Sequence, residues 1–242
     1  MKNKYTYVWV SLVILVFGII FIPRIIDRLT SGSVVENTRM NVAQGSDRPL
    51  EYITLNKKKR RVPEFSFLNQ DSLLISNEDY KGKVYVVEFF FTTCPTICPI
   101  MNQNLVEIQD EFREFENFGI ASFTINPEYD TPMVLKAYAE KYGITDMDWN
   151  LLTGSQEEVM KLANEGFNIF AANDPNVPGG FEHSGLFALV DKNGYIRSRK
   201  DPYGNPIVYY RGTITETQGE NFEGEQEQIS ILKEDIKKLL LE

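Results

Sequence analysis

The chain has 242 residues, of which 43% are hydrophobic and 12% aromatic, which suffices for one domain of ordinary size with an appendage. Its formal net charge is −9, and because residues 1–29 carry +3, the remainder carries −12. This acidic balance argues against a nucleic-acid partner and against broad contact with anionic lipid. It favours a cationic ligand or a basic partner, or it serves solubility alone.

An uncharged apolar run opens the chain. Residues 5–22 contain no charge over 18 positions, which is long enough to span a bilayer. The alternative is a cleaved signal peptide, whose apolar region is usually about 7–15 residues and ends at a small-residue cleavage site. No such site follows residue 22. We therefore predict a single transmembrane helix over residues 5–23 after a short N-terminus, 1–4, although charge alone leaves the orientation open.

Residues 24–61 are predicted to form a linker, because glycine, serine, asparagine and proline interrupt its apolar runs. Within it, residues 50–55 could make a short strand. A basic run over residues 57–61 is typical of a solvated segment before a domain. We expect the folded domain to begin near Val62 and to extend to residue 242.

The first half of this domain alternates strands with helices. A hairpin with a polar turn is predicted over residues 65–75. The run 84–91 is almost entirely β-branched or aromatic, which is typical of a central strand covered on both faces. An amphipathic helix from Pro99 to about residue 116, a strand at 118–125 and a helix from Thr131 to Tyr142 follow. This order implies right-handed parallel crossovers in an α/β fold.

The second half returns to antiparallel signals. A short strand at 148–152 precedes a helix that begins at Ser155 and reaches Gly166. The polar, Gly/Pro-rich stretch 172–184 is predicted to be a loop that ends in His183, the only histidine of the chain. A hairpin with an Asn-Gly turn at 186–197, an insert near 200–224 and a helix over about 225–241 close the domain.

Both cysteines of the chain, Cys94 and Cys98, follow directly on the strongest strand signal. Because Pro99 is tolerated only in a first helical turn and disfavours helical backbone before it, we predict that Cys98 is the N-cap and that Cys94 lies in the preceding loop. A thiol at a helix N-terminus lies at the positive end of the helix dipole. This favours the thiolate, which binds soft metals and attacks disulfides.

Three interpretations of these thiols differ in what else they need. A structural disulfide would close a very short loop in a domain that already has a full core. Structural zinc needs four ligands, whereas two cysteines and one histidine supply three of the expected type. Two thiolates and one imidazole match what copper takes in either oxidation state, provided that His183 reaches the cysteines from 85 residues beyond Cys98.

Taken together, three motifs resemble the Sco/SenC family of membrane-anchored copper proteins. They are Cys-Pro-x-x-Cys-Pro at 94–99, Asn-Pro-Glu-Tyr-Asp-Thr-Pro at 126–132, and Glu-His-Ser at 182–184 before a strand. The resemblance covers about residues 62–200. It implies a thioredoxin-like fold, a central mixed sheet flanked by helices, with Cys94, Cys98 and His183 as copper ligands. The family usually has Asp-Pro where this chain has Asn126-Pro127, so no acidic role is expected at that position.

The resemblance also implies a partner and a location. The partner would be cytochrome c oxidase subunit II, whose dinuclear CuA centre receives copper or has its cysteines prepared for it. Other copper chaperones or thiol reductants are further partners. The domain would face the periplasm or an equivalent compartment, with the N-terminus in the cytoplasm. The N-terminus lacks an Arg/Ser-rich leader, which favours a bacterial inner membrane over a mitochondrion.

A second hypothesis is that Cys94 and Cys98 carry out thiol–disulfide oxidoreduction. Glu88 lies six residues before Cys94. This position resembles that of thioredoxins, which have a buried acid six residues before their first active cysteine. A buried carboxylate at Glu88 could accept a proton from Cys98. The alternative is a glutamate on a partly exposed strand face. Peroxidase chemistry is disfavoured. Peroxiredoxins resemble Pro-x-x-x-Thr-x-x-Cys at this place, whereas this chain has Val87 and Phe91 at the Pro and Thr positions. Core packing is the expected role of three methionines at helical spacing, Met101, Met133 and Met160.

Overall fold

The computed structural model describes residues 10–19, 21–22, 49–201 and 204–242. The described residues between 10 and 22 are helical. No helix in these described ranges has both the length and the apolar character needed to cross a membrane. The predicted anchor over 5–23 lies partly outside the described residues. The predicted N-terminus 1–4 lies entirely outside them, and so does most of the linker. A separate compact unit begins at Asp47 and continues to Glu242.

This unit contains thirteen short strands and four α-helices among its described residues. The strands are β1 (Glu51–Tyr52), β2 (Thr54–Leu55), β3 (Lys58–Lys59), β4 (Ser66–Leu68), β5 (Leu74–Ser76), β6 (Val84–Phe90), β7 (Phe118–Thr124), β8 (Trp149–Leu152), β9 (Ala171–Asn173), β10 (Phe181–His183), β11 (Leu186–Val190), β12 (Ile196–Ser198) and β13 (Tyr210–Arg211). The helices are α1 (Cys98–Phe112), α2 (Pro132–Tyr142), α3 (Gln156–Lys161) and α4 (Ile229–Leu241). A 3-10 turn at Asn77–Tyr80 precedes β6, and a π-helical turn at Leu162–Phe167 continues α3.

The central sheet has the order β1-β12-β11-β6-β7-β8, with β13 paired to β11. The β6–β7 and β7–β8 pairs are parallel, whereas β11 runs antiparallel to β6. The strands of the two parallel pairs are connected by α1 and α2, as the strand–helix–strand order predicts. The antiparallel edge adds the hairpin of β11 and β12. The predicted mixed α/β sheet is therefore confirmed.

Strand β6 is covered on both faces, as its composition predicts. All seven of its residues are buried. On one face Phe89 stacks with Phe123 and meets the edge of Phe167; on the other, Phe90 packs against Tyr138 of α2. The residues that follow the carboxyl end of β6 stay in the core, since Phe91 and both cysteines are buried as well. That end carries the two cysteines.

The folded unit includes residues that the sequence places in the linker. Strand β1 pairs with β12, and β2 and β3 form a hairpin. Arg60, from the predicted solvated basic run, donates hydrogen bonds to the carbonyl oxygens of Glu165, Gly166 and Phe167. A cation at the C-terminal end of a helix satisfies carbonyls that have no partner within the helix. This segment extends the domain N-terminally from the predicted start at Val62.

The C-terminal helix is tied to the sheet by a buried ion pair. Arg199 donates two hydrogen bonds, each 2.7 Å, to the carboxylate of the fully buried Asp235. Tyr210 of β13 donates to the same carboxylate at 2.8 Å. Arg199 also bonds Glu234 at 2.8 Å, but the Glu234 side chain is 52% exposed. The two acids therefore offer a matched comparison around one guanidinium.

We predict that Asp235→Ala lowers the free energy of unfolding by about 3–5 kcal/mol, because it leaves a buried guanidinium without its main partner. Glu234→Ala should cost no more than about 1 kcal/mol, since that pair is half exposed. Chemical unfolding followed by far-ultraviolet circular dichroism measures both values. Equal losses in the two variants would contradict a dominant role for the buried pair.

Candidate metal centre

The two cysteines lie where β6 gives way to α1. Cys94 is in the loop after β6, and its N–H donates to the Phe91 carbonyl at 3.2 Å. Cys98 is the first residue of α1, with Ile97 as the N-cap, one residue earlier than the prediction of Cys98 as N-cap. Both cysteines are buried and neither is in a disulfide. The helix start and the loop thus bring two free thiols to one place.

His183 completes the group. The Cys94 Sγ, the Cys98 Sγ and one nitrogen of His183 all lie within 4.8 Å of one another. The His183 Nε2 is 3.3 Å from the Cys98 Sγ. The predicted ligand residues are therefore brought together across 85 residues of sequence.

The ring of His183 presents the correct nitrogen to the sulfurs. Its Nδ1 lies 3.3 Å from the carbonyl oxygen of Ser184. A carbonyl only accepts, so this contact favours a proton on Nδ1 and a lone pair on Nε2, which faces the Cys98 sulfur. The ring edge also rests against Phe91, with the ring centroids 5.8 Å apart. This orientation is the one that a metal-ligating imidazole needs.

A hairpin, rather than the predicted loop, delivers the histidine. Strands β9 and β10 pair antiparallel, and His183 is the last residue of β10, opposite Ala171. In the turn between them, Gly179 has φ +90°, and a Cβ there would lie 2.8 Å from Phe91 and 3.3 Å from Pro95. Only glycine allows this close approach. The hairpin thereby lies directly against the loop that carries Cys94.

The two thiols differ in acidity. The side-chain pairing with Cys98 lowers the pKa of Cys94 to about 3, against the opposing effect of burial. The same pairing, together with burial and the nearby Glu88, raises the pKa of Cys98 far above its usual range. The helix dipole favours a thiolate at Cys98, whereas the opposite shifts of the two pKa values favour the thiolate at Cys94. Its position at the loop leaves it 8% exposed, whereas Cys98 is fully enclosed.

Glu88 lies in the centre of β6 and is fully buried, so the alternative of a partly exposed strand face is wrong. Ser122 donates to its Oε1 at 2.6 Å, and Trp149 donates to the Ser122 hydroxyl at 2.9 Å. The second oxygen, Oε2, has no hydrogen-bond partner among the described residues. Burial raises the pKa of Glu88 to about 7. The carboxyl can therefore exchange a proton near neutral pH.

Asp130 holds the cysteine loop, and sequence reasoning assigned it no role. Its buried carboxylate accepts from the Thr92 N–H at 3.0 Å and from the hydroxyls of Thr92 and Thr124. Thr92 is two residues before Cys94, and Thr124 ends β7. The next residue, Thr131, is the N-cap of α2. The signal was present in the motif over 126–132, but the spacing alone does not show which acid points inward.

The methionines divide between core and surface. Met101 of α1 is fully buried and Met160 is partly buried against the core, as predicted. Met133 of α2 is 79% exposed, so the prediction that it packs in the core is wrong. It lies in the first turn of α2, where its side chain points outward although its spacing fits the apolar pattern of the helix.

The arrangement fits a soft cation. A thiolate, a second thiol that can lose its proton, and a neutral imidazole nitrogen are the ligands preferred by copper and similar soft metals. Among the described residues, no fourth cysteine, histidine or carboxylate joins the group. A closed structural zinc site requires four ligands. The two sulfurs lie within 4.8 Å of one another and would have to approach to about 2 Å to form a disulfide.

Comparison with known proteins identifies the family. A family model described as SCO1/SenC matches residues 54–215. The chain belongs to the SCO1/SenC family. The resemblance found in the three motifs is confirmed, and the match extends N-terminally beyond Val62, in agreement with the position of β2 and β3 in the fold.

Relatives of this SCO1/SenC chain cover most of its folded unit. The SCO1 protein homolog of Bacillus subtilis is 35% identical over 137 residues, which is 56% of this chain and 70% of the relative. The crystal structure of a SCO1/SenC family lipoprotein from Bacillus anthracis is 30% identical, with a TM-score of 0.61 over 77% of this chain and 99% of the other. BsSco, described as a member of the Sco family of cytochrome c oxidase assembly proteins with a disulfide switch, is 27% identical, with a TM-score of 0.61 over 80% and 98%.

The buried carboxyl of Glu88 predicts a pH dependence of stability. Between its ordinary pKa of 4.5 and its folded pKa of about 7, the folded chain holds a proton that the unfolded chain has lost. Stability therefore falls as the pH rises through this window, by about 3 kcal/mol in total. The difference between the unfolding free energies of the wild type and Glu88→Gln, measured on the reduced chain from pH 4 to 8, should show this slope.

Glu128→Gln serves as the control, because Glu128 is an exposed glutamate. This variant should keep the wild-type pH profile. A Glu88→Gln variant with the same slope as the wild type would show that another group is responsible.

Proposed function

We propose that this chain is a membrane-anchored copper metallochaperone in which Cys94, Cys98 and His183 hold one copper ion. The observation that carries the proposal is the convergence of two sulfurs and one imidazole nitrogen within 4.8 Å. The Nε2 of His183 faces the Cys98 sulfur, and the lowered pKa of Cys94 favours its thiolate. Copper in either oxidation state takes such a ligand set, and it is cargo here rather than a resident cofactor.

The recipient in this proposal is cytochrome c oxidase subunit II. The chain would deliver copper to the dinuclear CuA centre, or prepare the cysteines of that centre to receive it. Support comes from BsSco, a relative described as one of the cytochrome c oxidase assembly proteins. Copper chaperones that load this chain and thiol reductants that restore its sulfurs complete the set of partners.

The location in this proposal is a bacterial inner membrane. Residues 1–4 would lie in the cytoplasm, residues 5–23 would span the bilayer, and the linker would carry the domain on the periplasmic or equivalent side. Support comes from the 18 uncharged positions of 5–22. The relative from Bacillus anthracis is described as a lipoprotein. In this chain both cysteines lie in the metal centre, so attachment through a lipidated cysteine near residue 23 has no candidate.

Replacing the imidazole tests the copper site. The reduced full chain should bind one copper, and His183→Ala should lower the affinity by at least about tenfold because one of three ligands is lost. Metal content after dialysis and competition with a chromogenic chelator measure the effect, and circular dichroism checks the fold. Transfer of copper to the copper-free domain of subunit II should fall in parallel.

Met133→Leu, which removes an exposed thioether, is the control and should bind copper as the wild type does. Unchanged affinity in His183→Ala would remove His183 from the site.

The difference in thiol acidity favours a second function, thiol–disulfide exchange. The Cys94 thiolate would attack one sulfur of a disulfide substrate, form a mixed disulfide and release the first substrate thiolate. Cys98 would then lose its proton, with Glu88 as a candidate acceptor, and attack the Cys94 sulfur. This step releases the second thiolate and leaves a Cys94–Cys98 disulfide, so the substrate gains the two electrons that the cysteine pair loses.

A chromogenic aromatic disulfide tests this sequence without added copper. The reduced wild type should release about two thiolates per chain, whereas Cys98→Ser should release about one and retain the other as a mixed disulfide on Cys94. Cys94→Ser should react slowly, because the remaining thiol is buried and protonated. Mass spectrometry identifies the trapped adduct. If Cys94→Ser reacted as fast as the wild type, Cys94 would not be the attacking residue.

A further inference from the structure

A groove of about 740 Å³ lies between strand β4 and the α3 helix with its π-helical continuation. We call it the β4 groove. Residues 63–67 line one side, and the helix side is formed by residues from Glu158 to Gly166. None of these residues belongs to the metal centre.

One edge of β4 is open along this groove. Asn69 N–H bonds the Leu73 carbonyl, and Phe67 pairs with Ile75, so odd-numbered residues of β4 direct their backbone groups toward β5. Even-numbered residues direct theirs to the other side. Leu68 uses that side to exchange two hydrogen bonds with Thr153, of 3.0 and 2.8 Å.

Ser66 comes next along the same side. Its N–H and C=O point away from β5, toward the groove, and no backbone hydrogen bond outside the strand ladders joins it in the part of the chain that the structure describes. The strand that bonds Leu68 cannot continue to Ser66. The chain turns at Gly154 into the N-cap of α3, Ser155. The groove therefore occupies the position of a missing neighbouring strand.

The lining of the groove indicates what would fill it. Phe65, Phe67 and Leu162 are buried side chains that form an apolar floor. The walls carry three carboxylates, Glu64, Glu158 and Glu165, against one ammonium, Lys161. This charge balance over an apolar floor favours a ligand that carries both basic and apolar side chains.

We propose that the β4 groove binds an extended polypeptide segment of a partner protein, with alternating apolar and basic side chains, as an added strand on the Ser66 edge. The free backbone groups supply hydrogen bonds that any polypeptide can use, while the floor and the acidic walls select the side chains. A strand has side chains on two faces, so its apolar residues reach the floor and its basic residues reach the carboxylates. This site is independent of the proposed copper function.

Binding of a blocked hexapeptide of alternating valine and lysine to the full-length chain in detergent micelles tests the charge requirement. We expect saturable binding, weakened at least about tenfold by Glu158→Lys combined with Glu165→Lys. The control combines Glu140→Lys with Glu157→Lys, which makes the same change in net charge at exposed glutamates outside the groove. Absence of saturable binding, or equal loss in both double variants, would overturn the proposal.

Methylation of the peptide backbone tests strand addition without altering the protein. One peptide carries N-methyl groups on every valine, the other on every lysine. A strand pairs through alternate residues, so one peptide should lose binding and the other should stay within about threefold of the parent. Equal affinity of the two, high or low, would overturn the proposal.

Two other occupants have distinct signatures. If the β4 edge pairs with a second copy of the chain, sedimentation will show a dimer that the Glu158 and Glu165 double variant dissociates. If residues 24–48 of the same chain occupy it, the peptide will bind only after their deletion. Either result would replace the partner segment proposed here.

Discussion

The position of the metal centre depends on the buried carboxylate of Asp130. It accepts hydrogen bonds from Thr92 at the start of the cysteine loop and from Thr124 at the end of β7. A buried carboxylate is costly unless it is well bonded, so these bonds hold only when the loop lies against the sheet. Because Cys94 follows Thr92 by two residues, the same bonds place its sulfur. Thr131 begins α2 beside them, and this joins loop, strand and helix at one point.

The opposite wall of the centre has a different origin. The β9–β10 hairpin carries His183 to the sulfurs, and its turn can approach the cysteine loop because Gly179 has no side chain to meet Phe91. The pKa is lowered at the more exposed Cys94 and raised at the enclosed Cys98, which favours a thiolate at Cys94. One geometry therefore serves both proposed reactions, since a thiolate beside a neutral imidazole binds a soft cation, and a thiolate beside a thiol exchanges disulfides.

Several features of the fold follow from local patterns. The continuous apolar run of β6 predicts burial on both faces, and that burial makes Glu88 a buried acid as well. The Asn-Gly turn predicts the hairpin of β11 and β12, which the structure contains.

Errors arise where a local signal is outweighed by a distant contact. Residues 172–184 have a loop composition, but strands form at both ends because β9 and β10 pair antiparallel across the turn. Arg60 appears solvated in the sequence, but it bonds carbonyls more than a hundred residues away. Met133 fits the helical apolar spacing but points outward.

The sequence by itself determined which groups are available: two cysteines, one histidine, a buried strand before the thiols and a proline that begins the helix. These follow from composition and from steric rules that act over a few residues. Only the tertiary structure decided that His183 reaches Cys98, that the thiolate is favoured at Cys94 rather than at Cys98, and that Asp130 holds the loop. Each of these depends on atoms that are far apart in the chain, or on the relative strength of burial and hydrogen bonding at one atom. Spacing along the sequence contains no information about either.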